Sequence, residues 1–199
     1  LFGVPQKSKY HPEIDTGIHA LMCLERVIKL SDDIAVRYAA LVHDVGKAAT
    51  DQSKWPSHSG HEALGIALQD QIAKRLRIPN EHNQLAALVC EHHTKLHRIQ
   101  QLQPIALLNL LESLDAFRRP ERLEKFLLVC EAVVPGRIGF EDQEYPQRDY
   151  LNAVLAATRD LNFATLLAEK GKGNAAEAVK NRRLQLVTDK VAELSTSND

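Results

Sequence analysis

The chemistry of this 199-residue chain gathers on one stretch, Leu41-Val42-His43-Asp44-Val45-Gly46-Lys47. An imidazole and a carboxylate stand side by side after an apolar run, which puts both at the inner end of a buried helix. Adjacent helical residues point about 100° apart, so one cavity serves both only if it lies between them. A cation in a helix bundle meets that condition. Taken alone, an internal hydrogen bond or a helix cap also accounts for a His-Asp pair.

Other residues extend the set. His19 falls on the first helical stripe with Asp15, and Met22 and Cys23 are nearby; by itself it reads equally as a satisfied core histidine. His61 opens a third helix, where the positive end of the dipole disfavours imidazolium and leaves a neutral nitrogen for a metal. Its plain alternative is an exposed loop residue. In Glu91-His92-His93-Thr94-Lys95-Leu96-His97, His93 and His97 lie one turn apart on one face. Asp115 follows the apolar stretch Ile105 to Leu111, where a buried carboxylate is costly without a partner. Mixed imidazole and carboxylate donors in an open shell suit Ni²⁺, Mn²⁺, Co²⁺, Fe²⁺ or Mg²⁺ better than a closed thiolate zinc site. Such a cation lowers the pKa of a water and polarises a carbonyl or phosphoryl oxygen, so hydrolysis is the chemistry expected, with phosphate esters as the candidate substrates. Asp44 is then a catalytic as well as a ligating residue. Lys47 is either a point charge for the phosphate or a solvated helix-end lysine. Glu62 is a capping-box partner or a nearby base. His58, His92 and His97 are candidates for the surroundings of the site.

The elements that must position these groups are helical almost throughout, because glycine and proline are sparse and strand-like alternation is nearly absent. Residues 1–12 form an irregular lead-in. The spacing of Ile14, Ile18, Leu21, Met22 and Leu24 predicts a first helix over about 13–30. A second, about 32–45, is capped by Ser31-Asp32-Asp33 and stopped by Gly46. Ser59-Gly60-His61-Glu62 reads as a capping box for a third, to about 77. Further helices are expected over about 81–97, 104–117, 120–133, 147–159, 162–169 and 175–194. The expected organisation is all-α: a helical bundle domain over 1–134, with its core at about 14–117, and a helical C-terminal tail over 135–199.

Composition sets outer limits. Hydrophobic content of 44% and charge of 26% are those of an ordinary globular protein. A formal net charge of -1 supplies no global field for nucleic acid, so polyanion binding must come from local clusters or a bound metal. Cys23, Cys90 and Cys130 are far apart and form no CxxC. They read as buried reduced thiols, which points to the cytoplasm. No apolar run reaches the roughly 20 residues of a membrane helix. The chain opens Leu1-Phe2-Gly3-Val4 without an initiator methionine, so a piece of a longer protein is expected.

In order, His19, His43-Asp44, His61, His93 and Asp115 come from different helices or helix starts. That order resembles the signature of the HD superfamily of metal-dependent phosphohydrolases. The resemblance implies His19, His43, Asp44 and Asp115 as the ligands of one metal. It implies His61 and His93 as ligands of a second, with Asp44 as the bridge. A narrower resemblance rests on Leu1-Phe2-Gly3-Val4-Pro5, His11-Pro12-Glu13-Ile14-Asp15-Thr16-Gly17-Ile18-His19 and His43-Asp44-Val45-Gly46-Lys47. Trp55-Pro56, Gly60-His61, Pro79-Asn80-Glu81, Leu114-Asp115-Ala116-Phe117-Arg118 and Gly136-Arg137-Ile138-Gly139-Phe140-Glu141 carry it along nearly the whole chain. These segments are similar to the C-terminal part of bacterial tRNA CCA-adding enzymes that carry an HD domain. That implies 2′,3′-cyclic phosphodiesterase, 2′-nucleotidase and phosphatase activities, often favouring nickel. It also implies tRNA 3′ ends or nucleotide 2′- and 3′-phosphates as partners. One departure is Thr94, where related members commonly carry aspartate after the histidine, so a carboxylate is missing beside the second metal.

A nucleotidyltransferase half is expected outside this chain, since no Gly-Gly-Ser followed by Asp-x-Asp is present. The longer parent would then add or repair the tRNA 3′ CCA. Arg118, Arg119, Arg122, Lys125, Lys180, Arg182 and Arg183 are candidate tRNA contacts, and a solvated face is the plain reading of Arg182-Arg183. Two other functions fit the same residues: a non-catalytic module that positions tRNA, and an HD nucleotidase of another branch.

Overall fold

The computed structural model describes residues 1–134, 136–140, 142–159, 161 and 175–196. The expectation of an all-α fold holds: the described residues form helices, with one isolated antiparallel bridge between Pro5 and Asp15. The expected helix at about 162–169 and the turn at 171–174 lie outside the described residues.

The chain groups into two compact units, Leu1–His97 with Glu121–Tyr145, and Arg98–Pro120 with Pro146–Asp199. The first unit holds helices α1 (Thr16–Leu30), α2 (Ile34–Val42), α3 (His61–Leu76), α4 (Asn80–Leu96) and α6 (Pro120–Val133). The second holds α5 (Pro104–Ser113), α7 (Gln147–Arg159) and α8 (Ala175–Thr196).

Helix α1 starts later than its apolar spacing predicts. Ile14 has φ 58°, outside helical space, and Asp15 caps the helix by accepting the Ile18 N–H at 2.9 Å. Ile14, Ile18 and Leu21 are exposed, and the buried face is Thr16, His19, Ala20, Cys23 and Val27. The burial stripe therefore lies on a different face from the expected one, and it carries His19 inward. Helix α2 is also shorter than expected. Asp33 caps it through the Ala35 N–H at 2.7 Å, it ends at Val42, and a tight 3₁₀ turn follows over Val45–Ala49.

Gly46 does not act as a helix stop. A β-carbon there would collide with the His61 carbonyl oxygen and the Gly65 nitrogen. The glycine is required by the close approach of this turn to the start of α3. Nor is there a capping box at α3: Gly60, at φ 81°, precedes the helix with no side-chain cap. Glu62 instead accepts a hydrogen bond from the Thr94 hydroxyl at 3.0 Å.

In the first unit α2 packs against α1 and α4, and α3 against α4 and the Val45–Ala49 turn. Ala35, Ala39 and Ala40 are buried on α2 and Leu85, Ala86 and Val89 on α4. Small α2 side chains allow close packing, and Leu85 and Val89 each contribute roughly 1.5–3 kcal/mol by burial. In the second unit α5 begins with Pro104 at its first turn and buries Leu107, Leu108, Leu110 and Leu111. Helix α8 packs against α5 and α7. No described helix is long and apolar enough to cross a membrane.

Candidate metal centre

Asp44 is the hub of the first unit. It follows the end of α2 and begins the 3₁₀ turn, so its side chain leaves the helix axis and enters the core. Its Oδ2 lies 3.2 Å from His43 Nε2 and 4.0 Å from His19 Nε2. Its Oδ1 lies 3.4 Å from His61 Nε2 and 3.5 Å from His93 Nε2. The two oxygens thus face different histidine pairs. Rings of His19 and His43 are 5.3 Å apart, as are His43 and His93, while His61 and His93 are 5.7 Å apart. Five residues singled out from sequence order are brought together here: His19, His43, Asp44, His61 and His93.

Backbone carbonyls fix three of the rings. His43 Nδ1 donates to the Ala40 carbonyl at 2.7 Å, His61 Nδ1 to that of His58 at 2.8 Å, and His93 Nδ1 to that of Val89 at 2.8 Å. A carbonyl only accepts, so each Nδ1 carries a proton and each ring turns its Nε2 toward Asp44, where that nitrogen offers a lone pair when the ring carries no second proton. The Nε2 atoms of His43 and His61 and the Oδ1 of Asp44 are buried with no hydrogen-bond partner. Orphaned acceptors are costly, and several converging on one point are the donor set of a cation. The residues present fit a divalent metal. His43, Asp44 and His93 offer donor atoms close enough to share one ion, and so do His19, Cys23 and His43.

A buried carboxylate costs several kcal/mol unless it is compensated. Lys47 supplies part of that compensation: its ammonium sits 2.7 Å from Asp44 Oδ2 and donates also to Gln6 Oε1. It is buried, which departs from the solvated-lysine reading. Burial pushes the Asp44 carboxyl up, but Lys47 and the His43 and His61 rings outweigh it and hold the group well below the usual carboxylate range. Burial pulls His61 down while Asp44 raises it, for a net upward shift. Burial dominates at His93 and pulls it down, although Asp44 acts to raise it.

Some groups at the site have little mark in the sequence pattern. Glu13 is fully buried at its side chain, and its Oε1 lies 2.9 Å from His19 Nδ1 and 3.1 Å from His11 Nδ1. Cys23 Sγ is 3.5 Å from His19 Nε2. Gln6 and Glu13 arrive because the opening segment pairs with the residues before α1, through Gln6 N–H to the Ile14 carbonyl and Thr16 N–H to the Val4 carbonyl. The available signal was Cys23 at four residues from His19, one helical turn away. Glu13 had only its place in the His11-to-His19 motif.

The other candidates take varied places. His58 is bound by Thr50 and the Pro5 carbonyl, and His97 Nδ1 meets the Tyr145 hydroxyl at 3.0 Å. His92 faces Lys95 at 3.1 Å. Asp115 belongs to the second unit and is half-buried, not buried as expected. Its φ of 53° turns the chain, and its carboxylate lies 3.7 Å from Arg118 Nε and 3.5 Å from Arg119 Nε. On α8, Arg182 is exposed, whereas the Arg183 guanidinium stacks 3.7 Å from the centre of the Phe117 ring. Lys125 is engaged by Asp33 and Glu81 at 2.9 and 2.8 Å.

Comparison with known proteins agrees with this geometry. The chain is 49% identical over 194 residues to the Multifunctional CCA protein of Thioalkalivibrio sulfidiphilus, covering 97% of this chain and 47% of that protein. It is 45% identical over 188 residues to the Multifunctional CCA protein of Hahella chejuensis, covering 94% and 44%. Against that of Psychromonas ingrahamii identity is 44% over 188 residues, covering 94% and 46%. The chain thus spans about half the length of the curated relatives it matches. No solved structure is matched. The HD domain is matched over residues 16–128, the span that carries every histidine around Asp44 and Asp115 as well. With more than half of its length under that match and an orphaned His-Asp hub at its centre, the chain belongs to the HD domain family.

Proposed function

We propose that this chain is a metal-dependent phosphohydrolase domain of a tRNA CCA-adding protein, acting on nucleotide or tRNA 3′-end phosphates. The observation that carries the reading is the convergence of unpartnered Nε2 atoms from His43 and His61 with Asp44 Oδ1. His19, His43 and Asp44 would hold a first divalent ion, and His61 and His93 would complete a second site beside them. Nickel is favoured, with Mn²⁺, Co²⁺ or Mg²⁺ as alternatives.

A bound ion supplies a water nucleophile at neutral pH and polarises a phosphoryl oxygen. The chain's own residues do the rest. The carbonyl-held imidazoles keep their Nε2 lone pairs aimed at Asp44. Lys47 provides a positive charge for a phosphate once its hold on Asp44 is relaxed. Glu62, tied by Thr94 and 3.5 Å from His61 Nδ1, is placed to accept a proton. The activities expected are 2′,3′-cyclic phosphodiesterase, 2′-nucleotidase and phosphatase.

The relatives' names support a role in the tRNA CCA system, and their length supports an N-terminal nucleotidyltransferase domain in a longer parent. Arg118, Arg119 and Arg182 are the proposed phosphate contacts toward tRNA, with Arg183 placing α8. Residues 1–134 are the proposed HD domain and 135–199 its helical extension. Three buried free cysteines support the cytoplasm. The test is hydrolysis of 2′,3′-cyclic AMP with added Ni²⁺ by wild type and Asp44→Ala. Turnover lost in the variant supports the reading, and equal turnover overturns it.

A further inference from the structure

We infer that Glu13 is a positioning residue that sets the tautomer and donor strength of His19, a role that rests on the metal-centre reading above. The four histidines nearest Asp44 are not held alike. His43, His61 and His93 each give their Nδ1 proton to a neutral backbone carbonyl. The His19 Nδ1 faces a carboxylate, Glu13 Oε1, at 2.9 Å, and both side chains have no exposed surface. A carboxylate accepts a charge-assisted bond, roughly twice as strong as a neutral one. It fixes the proton on Nδ1, leaves the lone pair on Nε2, and raises the basicity of that nitrogen toward a metal. The same Nε2 is the atom that points at Asp44 Oδ2, 4.0 Å away.

The local fold is built around this contact. Ile14 turns at φ 58° between Glu13 and the cap Asp15, and that turn brings Glu13 back against a helix that starts three residues further on. Backbone bonds from Gln6 to Ile14 and from Thr16 to Val4 hold the turn in place. His11 Nδ1, 3.1 Å from the same Oε1, caps the outer side, with its ring centre 4.7 Å from that of His19. Glu13 Oε2 has no hydrogen-bond partner, so the imidazoles of His19 and His11 at Oε1 are the side-chain compensation for this buried carboxylate.

The experiment uses the whole chain labelled with ¹⁵N in its imidazoles, free of metal. Long-range ¹H–¹⁵N spectra read the tautomer of His19, and calorimetry reads Ni²⁺ affinity. Wild type is expected to show the proton on Nδ1. Glu13→Gln keeps an acceptor and removes the charge, so it should keep that tautomer and bind Ni²⁺ more weakly, by several-fold. Glu13→Leu removes both, so the Nε2–H form should appear and affinity should fall by roughly 10–100-fold. A wild-type His19 protonated on Nε2 overturns the inference without any variant. So does Ni²⁺ affinity unchanged in folded Glu13→Gln. If wild type shows the Nδ1–H form and binds no metal, the metal-centre reading fails and the Glu13–His19 bond stands.

Discussion

A single lysine shows how the site balances its charge. Lys47 occupies the Oδ2 side of Asp44 at 2.7 Å, the place where a cation is needed. Removing one member of a buried pair costs about 3–5 kcal/mol. Lys47→Met should therefore lower metal-free stability by that order in urea denaturation, and added Ni²⁺ should restore much of it. Equal midpoints with and without metal would contradict this role. At this scale the sequence was informative where chemistry travels with helical spacing. His19, His43, Asp44, His61 and His93 could be read in order because each sits at a definable helix position, and their Nε2 atoms do meet around one carboxylate. Glu13 and Gln6 could not be read, because a backbone pairing between distant residues delivers them. Asp115 was read as a buried carboxylate on the strength of its apolar neighbours, but its side chain turns to Arg118 and Arg119.

One turn and one helix cap show what the elements add. The Val45–Ala49 turn presses on α3 so closely that a β-carbon on Gly46 meets backbone atoms of His61 and Gly65. Gly46→Ala should cost about 1–3 kcal/mol or more, read as a drop in the denaturation midpoint. It should also disturb His61, read as weaker metal binding. The place of this glycine after α2 is legible in the sequence, but its role is not, since a tertiary backbone approach leaves no local pattern and a helix stop looks the same. The cap of α2 gives a pH prediction. Burial raises the Asp33 carboxyl, but the hydrogen bonds from Lys125 and the Ala35 N–H win and lower it. Its contribution is then present above the unfolded value of about 3.9 and is lost as pH falls through the folded value. Asp33→Ala should cost about 1 kcal/mol at pH 7. That gap to wild type should close in acid, below about pH 4. A gap constant from pH 7 to pH 3 would contradict the assignment.

For the molecule as a whole, the fold class was legible because apolar spacing, sparse glycine and proline, and helix-start prolines at Pro104 and Pro120 all agree. The two compact units were not, because α6 returns to the first unit after α5 has joined the second. That return is a long-range event with no mark in local composition. The adjacent arginines of α8 have different surroundings: Arg182 is exposed and Arg183 stacks on Phe117. Arg183→Ala removes the stack on Phe117 and should lower stability by about 0.5–1 kcal/mol. Arg182→Ala should leave stability unchanged, weaken tRNA binding across sequences and reduce the salt slope by about 1. Identical effects of the two changes on tRNA affinity and on melting would refute this division.

The central claim is that Asp44 and the histidines around it hold a catalytic divalent ion. Crystals of the chain grown with Ni²⁺, measured at the nickel absorption edge, test it most directly. An anomalous peak about 2.0–2.2 Å from His43 Nε2 and an Asp44 oxygen is the predicted result. Loss of that peak in Asp44→Ala is predicted with it. A nickel-loaded crystal with no peak beside Asp44, or with peaks only at other residues, would contradict the account.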